Sequence, residues 1–198
     1  MKTSILAWHF VGKTLRDGSP IPEVGKWLYF EGPIKLCESG LHASRTPWDA
    51  LNYAPGPVLC RVEVQAGQTL AGWQKIIEEQ DKLVDPKRKI LQKRDVTDLL
   101  FSFARQQALS VIDNWDCPDI VDKFLKTGDK ILRSAAESAA KSAAWSAAES
   151  AAWPAAWSAA WSAAWSAAES AAKSAAKSAA EEQFNELVYD LFQVERLK

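Results

Sequence analysis

Few residues of this chain combine a reactive side chain with a spacing that suits catalysis. His42 stands two positions after Gly40 at a predicted strand-to-helix turn, where functional side chains are common. Cys37 lies five positions before His42, so a thiol–imidazole pair across the turn is one interpretation. In the other interpretation, a His42 ring nitrogen bonds the local backbone and Cys37 is a small buried hydrophobe.

The cysteines and histidines give no metal-ligating pattern. The three cysteines, Cys37, Cys60 and Cys117, are an odd number without Cys-x-x-Cys spacing, which is typical of free thiols in a reducing compartment. They stand far apart, and His9 and His42 are the two histidines of the chain. We therefore expect neither a metal nor a cofactor.

The overall charge is balanced at a formal −1, so no global field favours nucleic acid, and we expect no nucleic-acid partner. Lys87, Arg88 and Lys89, with Lys93 and Arg94, form one basic cluster, which could contact phosphate but suits a charged loop better. The first residues lack the length and cleavage pattern of a signal peptide, so we expect a cytoplasmic location.

The candidate residues lie in a predicted small mixed α/β head, residues 1–95. Thr46 and Pro47 predict a helix start, because threonine caps a helix and proline suits its first position. Alternation over residues 58–64 predicts a strand, and residues 71–89 read as a loop with a short helix. Further strands are predicted at residues 5–11, 26–30, 34–37 and 90–92, the second and third as a hairpin.

Beyond the head, the chain is predicted to be helical. Residues 96–133 read as a short-helix connector, interrupted near Pro118 and Gly128. A unit of four residues, Ser-Ala-Ala-x, then repeats twelve times from Ser134 to Glu181, with Pro154 replacing one serine. Alanine is the best helix former, so residues 134–198 are predicted to form a long repeat helix with an amphipathic C-terminal end. Pro154 would kink this helix or divide it in two. The predicted fold class is therefore α+β, a small mixed α/β head followed by an all-helical C-terminal half.

Tryptophan occupies the variable repeat position five times. Each repeat of four advances that position by about 40° around a helix, so these tryptophans share one broad side and most charges the other. They could pack on the protein's own head or on a second copy, bind a foreign protein, or lie in a membrane, and a solvated spacer is also open. A membrane is the poorer fit because serines interrupt the uncharged run. The predicted partner-binding residues are Trp145, Trp153, Trp157, Trp161 and Trp165.

Residues 36–43, followed by residues 47–53, resemble an uncharacterised phage and bacterial domain family. Its members share a Cys-x-Ser-Gly-x-His-Ala core, a Pro-x-Asp helix that ends in tyrosine and a Val-Glu strand, here residues 62–63. Some relatives carry Trp-Asp-x-Pro-Asp and Thr-Gly-Asp before an alanine-rich tail, as residues 115–119 and 127–129 do here. The resemblance implies a phage setting, and hence the host cytoplasm, without an agreed function.

The same region is distantly similar to ADP-ribosyltransferase folds. In that family a strand leads to a helix that ends in tyrosine, and a further strand then lies beneath the nicotinamide pocket. This likeness implies NAD as the cofactor, His9 as the histidine that orients it and Tyr53 as the residue that stacks on nicotinamide. His42 stands where that family has a strand tyrosine.

Two functions follow as expectations. The first is a non-enzymatic phage-type accessory protein that acts by protein–protein interaction or self-assembly through its tryptophan-bearing helix. The second is an ADP-ribosyltransferase-like or nucleotide-binding head, for which the repeat helix serves assembly. The candidate catalytic residues under the second are His9, His42 and Tyr53.

Overall fold

The computed structural model describes residues 4–15, 17–110, 112, 116–152 and 162–195, with side chains described up to residue 143 and again from residue 177. These residues group into two compact units. One unit comprises residues 1–97 together with 182–198, and the other comprises residues 98–181. The chain thus leaves the first unit and later returns to it.

The first unit contains three antiparallel sheets. Their strands are β1 (Ser4–Val11), β2 (Trp27–Tyr29), β3 (Leu41–Ala43), β4 (Val58–Gln65), β5 (Gly67–Thr69), β6 (Gly72–Gln74), β7 (Ile77–Glu79), β8 (Lys82–Asp85) and β9 (Lys87–Asp95). The largest sheet has the strand order β1-β4-β9-β2, the second has the order β3-β8-β7, and β5 pairs with β6.

The two larger sheets join into a curled, ring-like arrangement. Pro86 alone separates β8 from β9, so the chain passes directly from one sheet to the other. On the opposite side, Trp8 in β1 and Ser44 after β3 exchange backbone hydrogen bonds of 2.8 and 2.9 Å. The ring encloses a core formed by small and branched side chains: Ala7, Val11, Ala43, Cys60, Val62, Val64, Leu83 and Ile90.

Helix α1 (Pro47–Leu51) begins as the sequence predicts. The Thr46 hydroxyl accepts a hydrogen bond of 3.1 Å from the Asp49 backbone N–H, and Pro47 occupies the first turn, where its missing N–H costs nothing. The predicted strand over residues 58–64 is likewise confirmed as β4.

The outer face of the β1–β4 pair carries Trp8, Phe10, Leu59 and Arg61, and all four side chains are buried. The end of helix α5 (Ser162–Phe192) covers them. The Phe192 and Tyr189 rings lie 5.0 and 5.9 Å from the Trp8 ring, measured between centroids. The C-terminal end of the chain therefore completes the hydrophobic packing of the N-terminal sheet.

The same segment also contacts helix α1. The Phe184 ring lies 5.8 Å from that of Trp48, and Asn185 Oδ1 accepts a hydrogen bond of 2.9 Å from the Trp48 backbone N–H. Phe184, Val188 and Phe192 are buried at intervals of four, so one stripe of the helix faces the first unit.

The second unit contains helices α2 (Thr97–Leu109), α3 (Asp119–Thr127) and α4 (Arg133–Ala152), a short 3₁₀ turn at Lys130–Leu132, and most of α5. Helix α3 ends at Gly128, whose φ of 68° suits a residue without Cβ, and the Arg105 guanidinium lies where a Cβ would project. Helices α3 and α4 then pack side by side.

The predicted fold class, with a mixed α/β head and an all-helical C-terminal half, is wrong. The N-terminal region is dominated by sheets, with the five-residue helix α1 between strands. The C-terminal part carries helices, but residues 116–118 and 128–129 are not helical, because Pro118 lacks an amide and Gly128 turns left-handed.

Two local predictions also fail. Residues 71–89, predicted as a loop with a short helix, form β6, β7, β8 and the start of β9. Residues 34–37 do not pair with residues 26–30, because β2 pairs with β9 instead. The domain boundaries placed at residues 95 and 133 remain predictions, and the kink at Pro154 lies outside the described residues. Among the described helices, none combines the length and apolarity that a membrane crossing requires.

Candidate functional site

A surface cluster brings Tyr53 together with residues of β8 and its preceding turn. The Tyr53 hydroxyl donates a hydrogen bond of 2.6 Å to Asp81 Oδ2 and accepts one of 3.1 Å from Lys82 Nζ. The Lys82 ammonium also lies 4.8 Å from the centre of the Tyr53 ring. These contacts hold Tyr53, half of whose surface is exposed, in one orientation.

Cys37 links this surface cluster to His42. Its backbone has a φ of 65°, unusual for a residue other than glycine, and its N–H donates a hydrogen bond of 3.0 Å to His42 Nε2. This contact agrees with the interpretation in which a His42 ring nitrogen bonds the local backbone, and not with a thiol–imidazole pair. Cys37 is exposed, so its prediction as a small buried hydrophobe is wrong. The Cys37 side chain instead faces Lys82, whose pKa is raised by its hydrogen bonds with Tyr53 and then with Cys37.

A second cluster lies deeper, between the two larger sheets. Arg88 in β9 is buried, and its Nη1 donates a hydrogen bond to the His42 carbonyl oxygen. His9 lies on β1 opposite Cys60 of β4. Burial lowers the pKa of His9 well below its usual value, and the charges of Arg88 and His42 lower it further. His9 is therefore a neutral imidazole at neutral pH.

Asp85 is the most unusual member of this inner cluster. Its side chain is fully buried, and among the described residues neither carboxylate oxygen has a hydrogen-bond partner of good geometry. Burial raises the pKa of Asp85 well above its usual value, although the positive charge of Arg88 and, more weakly, the Lys87 backbone N–H oppose that rise. The raised pKa favours the neutral, protonated form of this buried carboxyl group.

Asp85→Asn is expected to make the protein relatively more stable as the pH rises. The folded-state pKa of Asp85 lies above its unfolded value, so the folded state binds the proton more tightly and wild-type stability falls as pH increases between the two values. Between these two pKa values, wild type should lose up to about 1.4 kcal/mol of unfolding free energy per pH unit relative to the variant. Below both values, the stability difference between the two proteins should not change with pH. Urea unfolding at several pH values measures this difference.

Asp95→Asn is the matched control. Hydrogen bonds from Thr97 lower the pKa of Asp95 in the folded state. This exposed carboxylate therefore stabilises the fold by a small amount at pH values above its unfolded pKa. The resulting change of stability with pH has the opposite sign to that expected from Asp85. A stability of Asp85→Asn relative to wild type that falls as the pH rises would contradict a raised pKa for Asp85. That result would instead indicate an ionised carboxylate that compensates Arg88.

The inner cluster does not favour a cysteine nucleophile. Burial raises the pKa of Cys60 to about 11, against weaker opposite effects of Arg88 and Lys93, so its thiol is protonated at neutral pH. His42 Nε2 accepts a hydrogen bond from the Cys37 backbone N–H, so this ring nitrogen already has a structural role. Among the described residues, no group of histidine, cysteine and carboxylate side chains is arranged to hold a metal ion.

The predicted site residues have different outcomes. His9 and His42 lie close enough to affect each other's charge, and His42 connects through Cys37 and Lys82 to Tyr53. Trp145 and Trp165 lie in α4 and α5, but their side chains are outside the description, and Trp153, Trp157 and Trp161 are outside it entirely. Their predicted partner-binding role stays a prediction.

Sequence patterns alone do not identify four members of these clusters: Asp81, Lys82, Asp85 and Arg88. All four lie in or next to residues 71–89, where β8 is buried on both faces and so shows no alternation. One signal was available. Asp85 and Arg88 flank Pro86, and a carboxylate and a guanidinium beside buried apolar residues indicate a charge taken into the core.

The fold and these clusters define a small, curled antiparallel β domain with a buried polar centre. Residues 5–101 match the family described as "Domain of unknown function (DUF7666)", which covers the sheets and the beginning of α2. No curated protein and no solved structure matches the chain. The match is consistent with an uncharacterised family, whereas the motif-level likeness and the ADP-ribosyltransferase likeness remain predictions.

Proposed function

We propose that this chain is a non-enzymatic, phage-type accessory protein that acts by protein–protein contact, with its tryptophan-bearing repeat as the contact segment. The observation that carries the proposal is the packing of Phe184, Val188 and Phe192 in the first unit. The repeat, Ser134 to Glu181, thus lies between two segments of one compact unit.

Attachment at both ends favours a contact role, because it limits how far the two ends of the repeat can separate before any partner binds. Ordering a free segment at the moment of binding costs affinity, and pre-organisation reduces that cost. The repeat also alternates tryptophan with small residues. Tryptophan is enriched at interface hot spots, and alanine and serine allow a second helix to approach closely. We therefore propose a second copy of this chain as the first partner to test.

The polar clusters support a structural role for the candidate catalytic residues. His42 Nε2 holds the turn at Cys37, the Tyr53 hydroxyl is occupied by Asp81 and Lys82, and Cys60 carries a raised pKa. Each of these groups already serves the fold. The proposal accordingly assigns no catalytic residue and no cofactor.

The double variant Trp157→Ala with Trp161→Ala is expected to reduce the mass of the protein in solution. If the repeat mediates self-association, light scattering should report a multiple of the 21.9 kDa chain for wild type and a mass close to one chain for the variant. Removing two aromatic anchors from an interface typically costs several kcal/mol of association free energy, so the affinity should fall more than tenfold.

Lys173→Ala with Lys177→Ala serves as the control, because the repeat period predicts both positions on the charged side. His42→Ala should also leave the mass unchanged. A monomeric wild type whose indole fluorescence shows full exposure to water would contradict the proposal. A rise in melting temperature with millimolar NAD that disappears in His9→Ala or Tyr53→Ala would favour the nucleotide-binding alternative instead.

A further inference from the structure

The edge of the largest sheet carries a second surface that the proposed function does not use. Strand β2 pairs with β9 so that Trp27 lies opposite Lys89 and Tyr29 lies opposite Lys87. Side chains opposite each other in an antiparallel pair point to the same face, so all four share one side of the sheet. We call these four residues the open aromatic face.

The four side chains are in contact with one another. The Lys87 ammonium lies 4.2 Å from the centre of the Trp27 ring and 5.5 Å from that of Tyr29, and the Lys89 ammonium lies 4.4 Å from that of Trp27. Positive charge and aromatic surface are therefore combined within a few ångströms.

This face belongs to the same side of the sheet as Trp8 and Arg61, but to its other half. The α5 segment covers the half formed by β1 and β4, whereas Tyr29 remains 55% exposed. Trp27 is half-buried and Tyr29 is exposed. The Tyr29 ring is therefore accessible to a ligand, and Lys87 lies beside it.

We propose that the open aromatic face binds single-stranded nucleic acid. One base would stack on the exposed Tyr29 ring, and another would stack on the Trp27 ring after the Lys87 and Lys89 ammoniums leave that ring to contact backbone phosphates. A flat sheet face with aromatic rings and cations is suited to unpaired bases, because every base offers a ring surface and each nucleotide adds a negative charge. A duplex hides its bases and cannot use the rings in this way.

The affinity of this face for nucleic acid depends on its local charge and not on the balanced net charge of the chain. The basic cluster at residues 87–94 is a strand and not a loop, so its side chains separate to two faces. Arg88 points into the core and Lys87 and Lys89 point outward. Glu63 pairs with Lys89 at 2.7 Å, and among the described residues Lys87 has no such ion pair. Glu63 therefore weakens the positive field, and its removal should strengthen binding.

The test uses the full chain and a fluorescently labelled oligothymidylate, with anisotropy measured at low and moderate salt. Trp27→Leu is expected to weaken binding about tenfold, as expected for the loss of a stacked base. Lys87→Gln should weaken it several-fold and reduce the salt dependence by about one phosphate contact. Glu63→Gln, which removes the opposing charge while retaining a polar side chain, should tighten it about threefold.

Two matched controls separate this face from general effects. Trp73→Leu removes a tryptophan that is 63% exposed on β6 and is not one of the four residues of the face, and Lys35→Gln removes a surface lysine that is also outside it. Both should bind as wild type does. Tyr29→Leu provides a second ring variant in case Trp27→Leu fails to fold, and urea unfolding checks each variant.

Four outcomes would overturn the proposal. The first is no oligonucleotide binding at low salt, and the second is an equal loss of oligonucleotide affinity in Trp27→Leu and Trp73→Leu. The third is equal affinity for a duplex of the same length. The fourth is displacement of the oligonucleotide by polyglutamate at the same charge concentration. The last result would identify an acidic protein segment as the ligand. Loss of self-association in the repeat variant does not affect these measurements, so each of the two proposals can be refuted without the other.

Discussion

Replacing Gly40 by alanine is expected to lower the free energy of unfolding by about 3 kcal/mol or more. The backbone φ of Gly40 is 109°, a conformation that side chains rarely tolerate, and strain of this kind costs about 1–3 kcal/mol. An added Cβ would also lie 2.5 Å from Val84 Cγ2 and 3.0 Å from Ile34 Cγ2, both within the packed interior. Overpacking adds a similar amount. Denaturant unfolding of the two proteins measures the difference.

Gly25→Ala separates the two contributions. Gly25 has a comparable φ of 86°, but nothing lies within 4 Å of the position that its Cβ would occupy. Only the backbone strain should remain, so the expected loss is about 1 kcal/mol. If both variants lost the same stability, the close approach of Gly40 to β8 would be refuted. The glycine of the Cys-x-Ser-Gly-x-His motif would then be explained by its backbone conformation alone.

Phe192→Ala is expected to destabilise the first unit by about 3–5 kcal/mol, the usual cost of truncating a buried phenylalanine. Phe192 is 1% exposed and packs edge-on against Trp8, while the Arg94 guanidinium lies 5.7 Å from its ring centre. Truncation would leave a cavity between α5 and the sheet and would uncover Trp8. The loss of unfolding free energy should appear in the same unfolding transition as the loss caused by Gly40→Ala.

The control for this prediction is Leu70→Ala, because Leu70 is 88% exposed and should change stability by less than about 0.5 kcal/mol. Trp8→Ala combined with Phe192→Ala should be less destabilising than the sum of the single variants, since both remove one shared contact. A loss for Phe192→Ala as small as that for Leu70→Ala would mean that the C-terminal segment does not pack on β1. The two-ended attachment of the repeat would then be lost as an argument.

Local signals predicted the elements that local bonds stabilise. Thr46 and Pro47 marked the start of α1, and the alternation along β4 marked that strand, because caps and pleats depend on near neighbours. Residues 71–89 were misread because β8 is buried on both faces and β7 is exposed on both, so neither has a period of two. Charged residues in this stretch then suggested a loop.

The candidate site was predictable only in part. The spacing of Cys37, Gly40 and His42 drew attention to the right turn, and the structure places a backbone contact there. The partners from β8 and β9 could not be predicted, because Lys82 and Arg88 reach the turn through strand pairings between residues more than 40 positions apart. Such pairings depend on which strands meet in the fold.

By itself, the sequence determined the helical character of the alanine repeat where it is described in α4 and α5, because each helical hydrogen bond joins residues four positions apart. It also determined the caps, the turn at Gly128 and strand β4. Only the tertiary structure decided that β2 pairs with β9, that Asp85 and Arg88 enter the core, and that Phe184 and Phe192 return to cover Trp8. These outcomes depend on burial between segments distant in the chain, and burial is a property of the assembled fold that no short window of residues contains.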